Sequence, residues 1–273
     1  MKTRNKVKLL SGPYMVWAVA FIIIPLIMIF YFGLTDKTGA FTMANIKSMA
    51  TAEHSKALSL SIQLSVIATV ICLLLGYPLA AILAHMKNSS GVIIFIFILP
   101  MWMNFLLRTL AWQTLLEKTG VINSILTAIH LPTLNIINTS SAIVLGMVYN
   151  FLPFMVLPLY NSLTKIDENV INAAYDLGAD EIQTFIKVTL PLTIPGIISG
   201  ITMVFVPALT TFVISKLLGG SKILLIGNVI EEQFTQAGNW NLGSGLSLVL
   251  MLFIIVNMVI SSIFDKDGEG SVL

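Results

Sequence analysis

The sequence predicts an all-α integral membrane protein with six transmembrane helices and both termini in the cytoplasm. The first observation is composition: 56% of the 273 residues are hydrophobic and only 10% are charged, whereas a soluble domain carries about 25% charged residues. The second is a series of six apolar runs, each near the ~20 residues that a helix needs to cross a bilayer. The third is a basic N-terminus, since positive charge beside a span stays on the cytoplasmic side.

These runs form one predicted transmembrane domain, residues 1–273. The basic residues Lys2, Arg4, Lys6 and Lys8 precede the first run. That run is longer than the core of a signal peptide and no small-residue cleavage site follows it, so we interpret it as a retained span. The predicted spans are 15–34, 60–85, 92–116, 140–163, 192–215 and 246–264. Several contain proline, which suits a transporter because neighbouring helices or a cavity must satisfy the freed carbonyls.

The polar interval between the fourth and fifth spans, the 165–191 loop, predicts two short amphipathic helices. In the first, Val170, Ala173, Ala174 and Leu177 share one face at helical spacing. Asp167 is a good N-cap, and Gly178 stands where a helix end favours a left-handed residue. Asp180 can cap the second helix, and Pro191 is expected to end it, because proline disfavours helical geometry in the preceding residue.

The spacing of small residues in this loop resembles the EAA loop of ABC importer permeases. The matching positions are Ala173, Ala174, Gly178, Val188, Leu190 and Pro191, with Asn172 at the position of the motif's glutamate. The resemblance implies a type I ABC importer permease fold in which this loop is the cytoplasmic coupling helix that docks on an ATPase. Counting spans from the basic N-terminus also places the loop in the cytoplasm. The alternative, an amphipathic helix lying on lipid, is disfavoured because the loop is acidic.

Two further segments resemble the PotB-like spermidine/putrescine permeases. One contains Pro100-Met-Trp102, Leu107-Arg-Thr-Leu-Ala-Trp112 and Gly120-Val-Ile-Asn123; the other runs from Leu217-Leu-Gly-Gly220 through Ile226-Gly-Asn228 to Asn239-Trp240. This resemblance implies a polyamine substrate and a bacterial plasma (inner) membrane location. It also implies an assembly with two ABC ATPase subunits, a second homologous permease and an extracellular or periplasmic polyamine-binding protein. Because the branch includes transporters of other solutes, another small solute is the alternative.

Aromatic and amide side chains in the third and fourth spans are candidates for the substrate path. Ammonium groups are stabilised by aromatic faces, more strongly when desolvated, and amide oxygens can accept their hydrogen bonds. The candidates are Trp102, Trp112, Tyr149, Asn150 and Tyr160. For each, a structural role is the alternative, since Trp and Tyr collect at membrane interfaces and Asn can bond between helices.

Charged residues at the outer side are candidates for an outer gate or a contact with the binding protein. Arg108 is the only charged residue well inside a predicted span, where a charge is costly and usually faces protein. A structural pairing is an equally open role for it, and snorkelling to the outer interface is the alternative to both. Glu231 and Glu232 lie in the last outer loop, with a solvated helix face as their alternative.

Several functions are disfavoured. Gly219-Gly-Ser-Lys222 lacks the spacing of a Walker A motif, and no catalytic or metal-ligand constellation is present in the sequence. We therefore expect no enzyme activity and no cofactor, with ATP hydrolysis supplied by a separate subunit. A gradient-driven secondary transporter would want intramembrane ionisable residues for coupling, and the spans offer only Arg108. The basic residues are scattered and the net charge is only +2, which disfavours nucleic acid as a partner and leaves membrane lipid.

Overall fold

The computed structural model describes residues 12–86, 95 and 99–269, and the fold there is built of α-helices, as predicted. The helices before residue 165 are α1 (Gly12–Ala18), α2 (Ile24–Gly33), α3 (Ala44–Lys47), α4 (Ala52–His85), α5 (Phe105–Leu116), α6 (Val121–Ala128) and α7 (Ser140–Leu163). Those after it are α8 (Glu168–Asp176), α9 (Glu181–Thr184), α10 (Leu190–Leu192), α11 (Ile194–Thr210), α12 (Val213–Leu218), α13 (Ile226–Thr235) and α14 (Trp240–Glu269). The π-helical segments Val19–Ile23 and Phe185–Thr189 join α1 to α2 and α9 to α10. The predicted N-terminal basic cluster, Lys2, Arg4, Lys6 and Lys8, lies outside the described residues.

Within the described part of the chain, four helical runs are long and apolar enough to cross a membrane: Pro13–Gly33, Ala52–His85, Ser140–Leu163 and Trp240–Ser261. They correspond to the first, second, fourth and sixth predicted spans. A fifth candidate is the bent pair Glu181–Leu192 and Ile194–Thr210, whose halves meet at 62°. Six spans remain a prediction, because part of the third one, 92–116, lies outside the described residues.

Two predicted spans are not continuous helices where they are described. In 92–116, a 3₁₀ turn precedes α5, and Asn104 caps α5 by accepting a hydrogen bond from the Leu106 N–H at 2.9 Å. In 192–215, α11 ends at Thr210 and the backbone is extended at Thr211 before α12 begins. The Phe212 carbonyl then accepts a hydrogen bond from the Asn228 side chain at 3.0 Å. The Asn228 side chain thus satisfies a backbone carbonyl at this break. The residues next to the break do not predict it.

The described chain divides into two compact units. The first comprises residues 12–56 and Val229–Phe253. Its N-terminal helical run is apolar but not buried: the exposed fractions of Trp17 and Phe21 are 51% and 68%. A membrane-spanning helix that faces lipid is expected to be apolar on every side and not to be buried by the rest of its chain.

Two asparagines close the end of α2 in this first unit. The Nδ2 of Asn45 donates to the Thr35 carbonyl at 2.9 Å, and the Nδ2 of Asn241 donates to the same carbonyl at 2.8 Å. The same two amides also reach carbonyls of the last turn of α2, Gly33 at 3.3 Å from Asn45 and Phe32 at 3.1 Å from Asn241, which have no partner within the helix. These bonds therefore fix the chain where it leaves the first predicted span.

The second unit comprises residues 57–228 and the described residues from 254 onward. Its centre is formed by small or flexible side chains of α4, α7 and α11, among them Ala68, Cys72, Met155 and Ala208, all 0% exposed. The glycine pair Gly196 and Gly200 lies on the face of α11 that packs against α7. Small residues at these positions let the two helix backbones approach closely.

Candidate functional site

The first helix of the 165–191 loop forms as its sequence predicts. Asp167 caps α8 by accepting the Asn169 N–H at 2.9 Å. Gly178 follows the helix with a φ of +85°, and its N–H donates to the Tyr175 carbonyl at 2.8 Å. A Cβ at Gly178 would meet no atom within 4 Å. The glycine is therefore required by the left-handed backbone and not by close packing.

The second helix begins as predicted but does not end as predicted. Asp180 accepts the Gln183 N–H at 2.7 Å and caps α9. The helical path then continues through the π segment into α10, so the expectation that Pro191 ends it is wrong. Pro191 lies within the continuous helical run Glu181–Leu192, which ends at the next residue. The π segment Phe185–Thr189 directly precedes α10, and such a local adjustment lets a helix accommodate the N–H that proline lacks.

The EAA-like residues lie at the surface of this loop. All are exposed or half-buried: Asn172, Ala173, Ala174, Gly178, Val188, Leu190 and Pro191. On either side of Gly178, the side chains of Leu177 and Ile182 are 89% and 70% exposed. The predicted apolar face of α8 is therefore not turned into the core of this chain. Large exposed apolar side chains in an otherwise acidic loop mark an interaction surface.

The bend between α10 and α11 is held by a buried threonine and a tyrosine from α4. Thr193 is 0% exposed, and its hydroxyl donates to the Leu190 carbonyl at 2.9 Å. The Tyr77 hydroxyl lies 3.0 Å from the Thr193 oxygen, and it must donate there because the threonine proton is already used. The Tyr77 ring also packs edge-to-face on Phe185, with centroids 5.6 Å apart. One side chain of α4 therefore contacts both the bend and the loop.

Removing the Tyr77 hydroxyl tests this contact. A net hydrogen bond contributes about 1 kcal/mol, so Tyr77→Phe should speed amide hydrogen exchange around the bend, residues 185–194, about fivefold. Tyr160→Phe is the matched control, because no described residue bonds that hydroxyl. Equal exchange rates in the two variants would show that the hydroxyl does not hold the bend.

Three predicted residues of the outer gate and substrate path come together on α5 and α7. The rings of Trp112 and Tyr149 meet edge-to-face with centroids 5.1 Å apart, and both border an apolar cavity of about 690 Å³. Arg108 is 8% exposed, and its Cζ lies 6.0 Å from the centre of the Tyr149 ring. This is the distance of a cation–π contact. One face of the Tyr149 ring thus already carries a cation of the protein.

The other path candidates are not in this group. Trp102 is 77% exposed and packs edge-to-face on Phe95. Tyr160 borders a different cavity, between α4, α7 and the 165–191 loop. Asn150 is 2% exposed; its Nδ2 donates to the Gly146 carbonyl at 2.8 Å, and its Oδ1 has no hydrogen-bond partner among the described residues. The five residues therefore do not line one continuous surface.

The two acidic candidates lie on one helix. Both belong to α13, where Glu231 is half-buried and Glu232 is exposed. The Thr235 hydroxyl donates to the Glu231 carbonyl at 2.8 Å and approaches its Oε1 at 3.2 Å. This is a local helix-end arrangement and by itself identifies no ligand.

Sequence reasoning missed the buried centre of the Leu217–Asn228 region. Asn228 is 6% exposed; its Oδ1 accepts from the Ser215 hydroxyl at 2.5 Å and from the Leu225 N–H at 3.1 Å. Beside it, the Ser61 hydroxyl of α4 accepts the Ile226 N–H at 2.8 Å. The sequence signal was Asn228 within an apolar stretch. That signal indicates a buried polar side chain but does not identify its hydrogen-bond partners.

The sequence matches a described protein family and several of its members. The family "Binding-protein-dependent transport system inner membrane component" matches residues 76–267. The "Spermidine/putrescine transport system permease protein PotB" of Haemophilus influenzae is 37% identical over 266 residues, covering 93% of both chains. The protein of that name from Escherichia coli K12 is 38% identical over 267 residues, covering 93% of this chain and 97% of the relative. The "Inner membrane ABC transporter permease protein YdcU" of E. coli is 31% identical and covers 80% and 74%.

Solved structures of bacterial ABC transporters share the fold. A transporter "involved in the import of the acidic polysaccharide alginate" matches with a TM-score of 0.80 at 16% identity, over 100% of this chain and 98% of that one. An alginate transporter in complex with an alginate-bound periplasmic protein matches with the same score and identity, over 95% and 93%. At this identity the likeness establishes fold alone, and it confirms the predicted ABC permease fold.

Proposed function

We propose, on the premise that this chain belongs to the binding-protein-dependent inner-membrane transport components and among them to the PotB-like permeases, that it is the permease subunit of an ATP-driven polyamine importer. The observation that carries the proposal is 37–38% identity to spermidine/putrescine permeases across 93% of this chain. Spermidine and putrescine are linear alkyl cations. The proposed substrate class is therefore a chemical class, and it is also the class named for the related permeases.

The chain is a multi-pass protein of the bacterial inner membrane, and its family works with ATPase and binding-protein partners. The finer assembly is part of the proposal: two ATPase copies, one related second permease and an external polyamine-binding protein. In this arrangement the chain itself performs no catalysis, and the partner subunits hydrolyse ATP. Six spans with both termini in the cytoplasm complete the proposed topology.

In the proposed mechanism the 165–191 loop docks on the ATPase. The support is the exposure of Leu177 and Ile182 beside the left-handed turn at Gly178. ATP-driven closure of the ATPase subunits would move this loop, and the bend at Thr193 would pass the movement to α11. The Tyr77 contacts with the bend and with Phe185 would carry the same movement to α4.

The proposed substrate path uses Asn150 more directly than the aromatic candidates. Its buried Oδ1 has no hydrogen-bond partner among the described residues, and an unsatisfied buried acceptor costs about 1–3 kcal/mol. A substrate ammonium group would satisfy it. Trp112 offers a ring beside the path, whereas Arg108 beside Tyr149 suits an outer gate that repels cations until it moves. The exposed side of α13, with Glu232, is the proposed contact for the binding protein.

Uptake of labelled polyamines tests the function. Cells that lack the gene should lose high-affinity uptake of radiolabelled spermidine or putrescine, and a plasmid copy should restore it. Purification of the tagged chain in mild detergent should bring an ATPase subunit with it. Both results follow because the proposed pore moves substrate only when the ATPase is attached.

The contrary results are equally specific. Unchanged polyamine uptake together with lost uptake of another small solute would reassign the substrate and keep the importer. Transport by the purified chain alone, driven by an ion gradient and without an ATPase, would overturn the importer itself.

A further inference from the structure

A cavity of about 610 Å³ lies between the 165–191 loop and the ends of two long helices. Its walls come from the C-terminal ends of α4 and α7 and from both helices of the loop. Four aromatic rings border it: Tyr77, Tyr160, Tyr175 and Phe185. Neither the EAA-like motif nor the proposed substrate path accounts for this concentration of aromatic side chains at one place.

The polar groups of the cavity wall favour a cation. Glu168 of α8 and Glu181 of α9 both border it. Among the described residues no lysine or arginine does, and the Nδ1 of the bordering His85 lies 2.8 Å from the Ala81 carbonyl oxygen. Helix dipoles explain a carboxylate in the first turn of each helix, but not why both carboxylates border the same cavity. Thr184 also borders it, is 3% exposed, and has a hydroxyl without a hydrogen-bond partner among the described residues.

We propose that this cavity is a second binding site, for a linear alkyl polyammonium compound. Aromatic faces and carboxylates are the groups that stabilise ammonium ions at partly desolvated positions. The side chains of Ala81 and Ala84 give the wall an apolar strip beside which a methylene chain can lie. The choice of a polyamine rests on the proposed function, whereas the preference for an organic cation rests on the cavity itself.

An occupant of this cavity would touch both the long helices and the 165–191 loop. It would contact α4 and α7 on one side and α8 and α9 on the other. Binding therefore stabilises the 165–191 loop against the ends of the two spans. The expected signature is slower amide hydrogen exchange in residues 168–185 when ligand is present.

The test uses the assembled permease–ATPase complex in nanodiscs, without the binding protein. Spermidine should slow exchange in residues 168–185, and a linear diol of similar length should not. In the Glu168→Gln/Glu181→Gln variant, the spermidine concentration needed for half of this protection should rise about tenfold, because two ion pairs with exposed carboxylates are lost together. The Asp176→Asn variant is the matched control, since Asp176 is an exposed carboxylate of α8 that does not border the cavity.

Three results would overturn the proposal: no protection by spermidine, equal protection by the diol, or an unchanged half-point in the double variant. The outcome is separable from that of the proposed function. If spermidine does not slow amide exchange in residues 168–185 but the cells still take up polyamines, only this site is rejected. If spermidine slows exchange but the protein imports another solute, the proposed substrate is rejected and the site is kept.

Discussion

Replacing Gly178 by valine should abolish substrate-stimulated ATP hydrolysis by the reconstituted transporter while the chain still inserts in the membrane. The backbone φ at this position is +85°, and a left-handed conformation costs a side-chain-bearing residue about 1–2 kcal/mol, more for a β-branched one. Open space surrounds the position, so the strain falls on the turn and not on packing. The turn between α8 and α9 should therefore change shape, and the proposed ATPase contact depends on that shape.

Gly238 provides the matched control. Its φ is +58° and a Cβ there would also meet nothing within 4 Å, but it lies between α13 and α14, outside the 165–191 loop. Gly238→Val imposes similar backbone strain and should retain stimulated ATP hydrolysis. Assays of ATP turnover with and without loaded binding protein compare the two variants at equal membrane yield. Normal stimulation in Gly178→Val would remove the coupling role from this loop.

The loop was predictable from sequence because its signals are local. Asp167 and Asp180 cap the helices that directly follow them, and Gly178 satisfies a backbone requirement within the same turn. The four long apolar helices were predictable for a related reason, since a span is specified by the length and composition of one segment. None of these features depends on a residue far away in the chain.

The features that sequence reasoning got wrong depend on distant partners. The helix that continues past Pro191 bends at Thr193, where Tyr77 of α4 supplies a hydroxyl 116 residues away in the sequence. The break after Thr210 is stabilised by Asn228, whose side chain reaches the Phe212 carbonyl. Periodicity within either segment contains no information about these bonds. The bend at Thr193 also has local causes, because a π segment precedes it and Pro191 and Pro195 flank it.

The substrate path was the least predictable part, for a chemical reason. Tyr149 and Trp112 do meet, but Arg108 already lies over one face of the Tyr149 ring. Residue type alone cannot separate an aromatic ring that holds substrate from one that holds the protein's own cation. Fold is no guide either, because alginate importers share it at 16% identity. Substrate identity therefore depends on side chains within the fold.

A single methyl group at Gly196 should destabilise the membrane bundle. A Cβ there would lie 2.7 Å from the Ser162 Cβ and 2.8 Å from the Pro158 carbonyl oxygen on α7. Backbone atoms of a packed helix cannot move away cheaply, so α11 and α7 must separate. Overpacking of this kind costs about 1–3 kcal/mol. Gly196→Ala should lower the unfolding temperature of the purified chain in detergent and reduce its yield in membranes.

Gly200→Ala, one turn along the same helix, is the comparison that separates backbone contact from side-chain contact. Its Cβ would lie 2.6 Å from the Met155 sulfur and 3.3 Å from the Met155 carbonyl oxygen. The thioether ends a flexible side chain that adapts to new neighbours, so this variant should lose less thermal stability than Gly196→Ala. A larger loss of thermal stability in Gly200→Ala would mean that the Met155 side chain is fixed by its packing between α4 and α11. The spacing between α7 and α11 would then be set at Gly200 and not at Gly196.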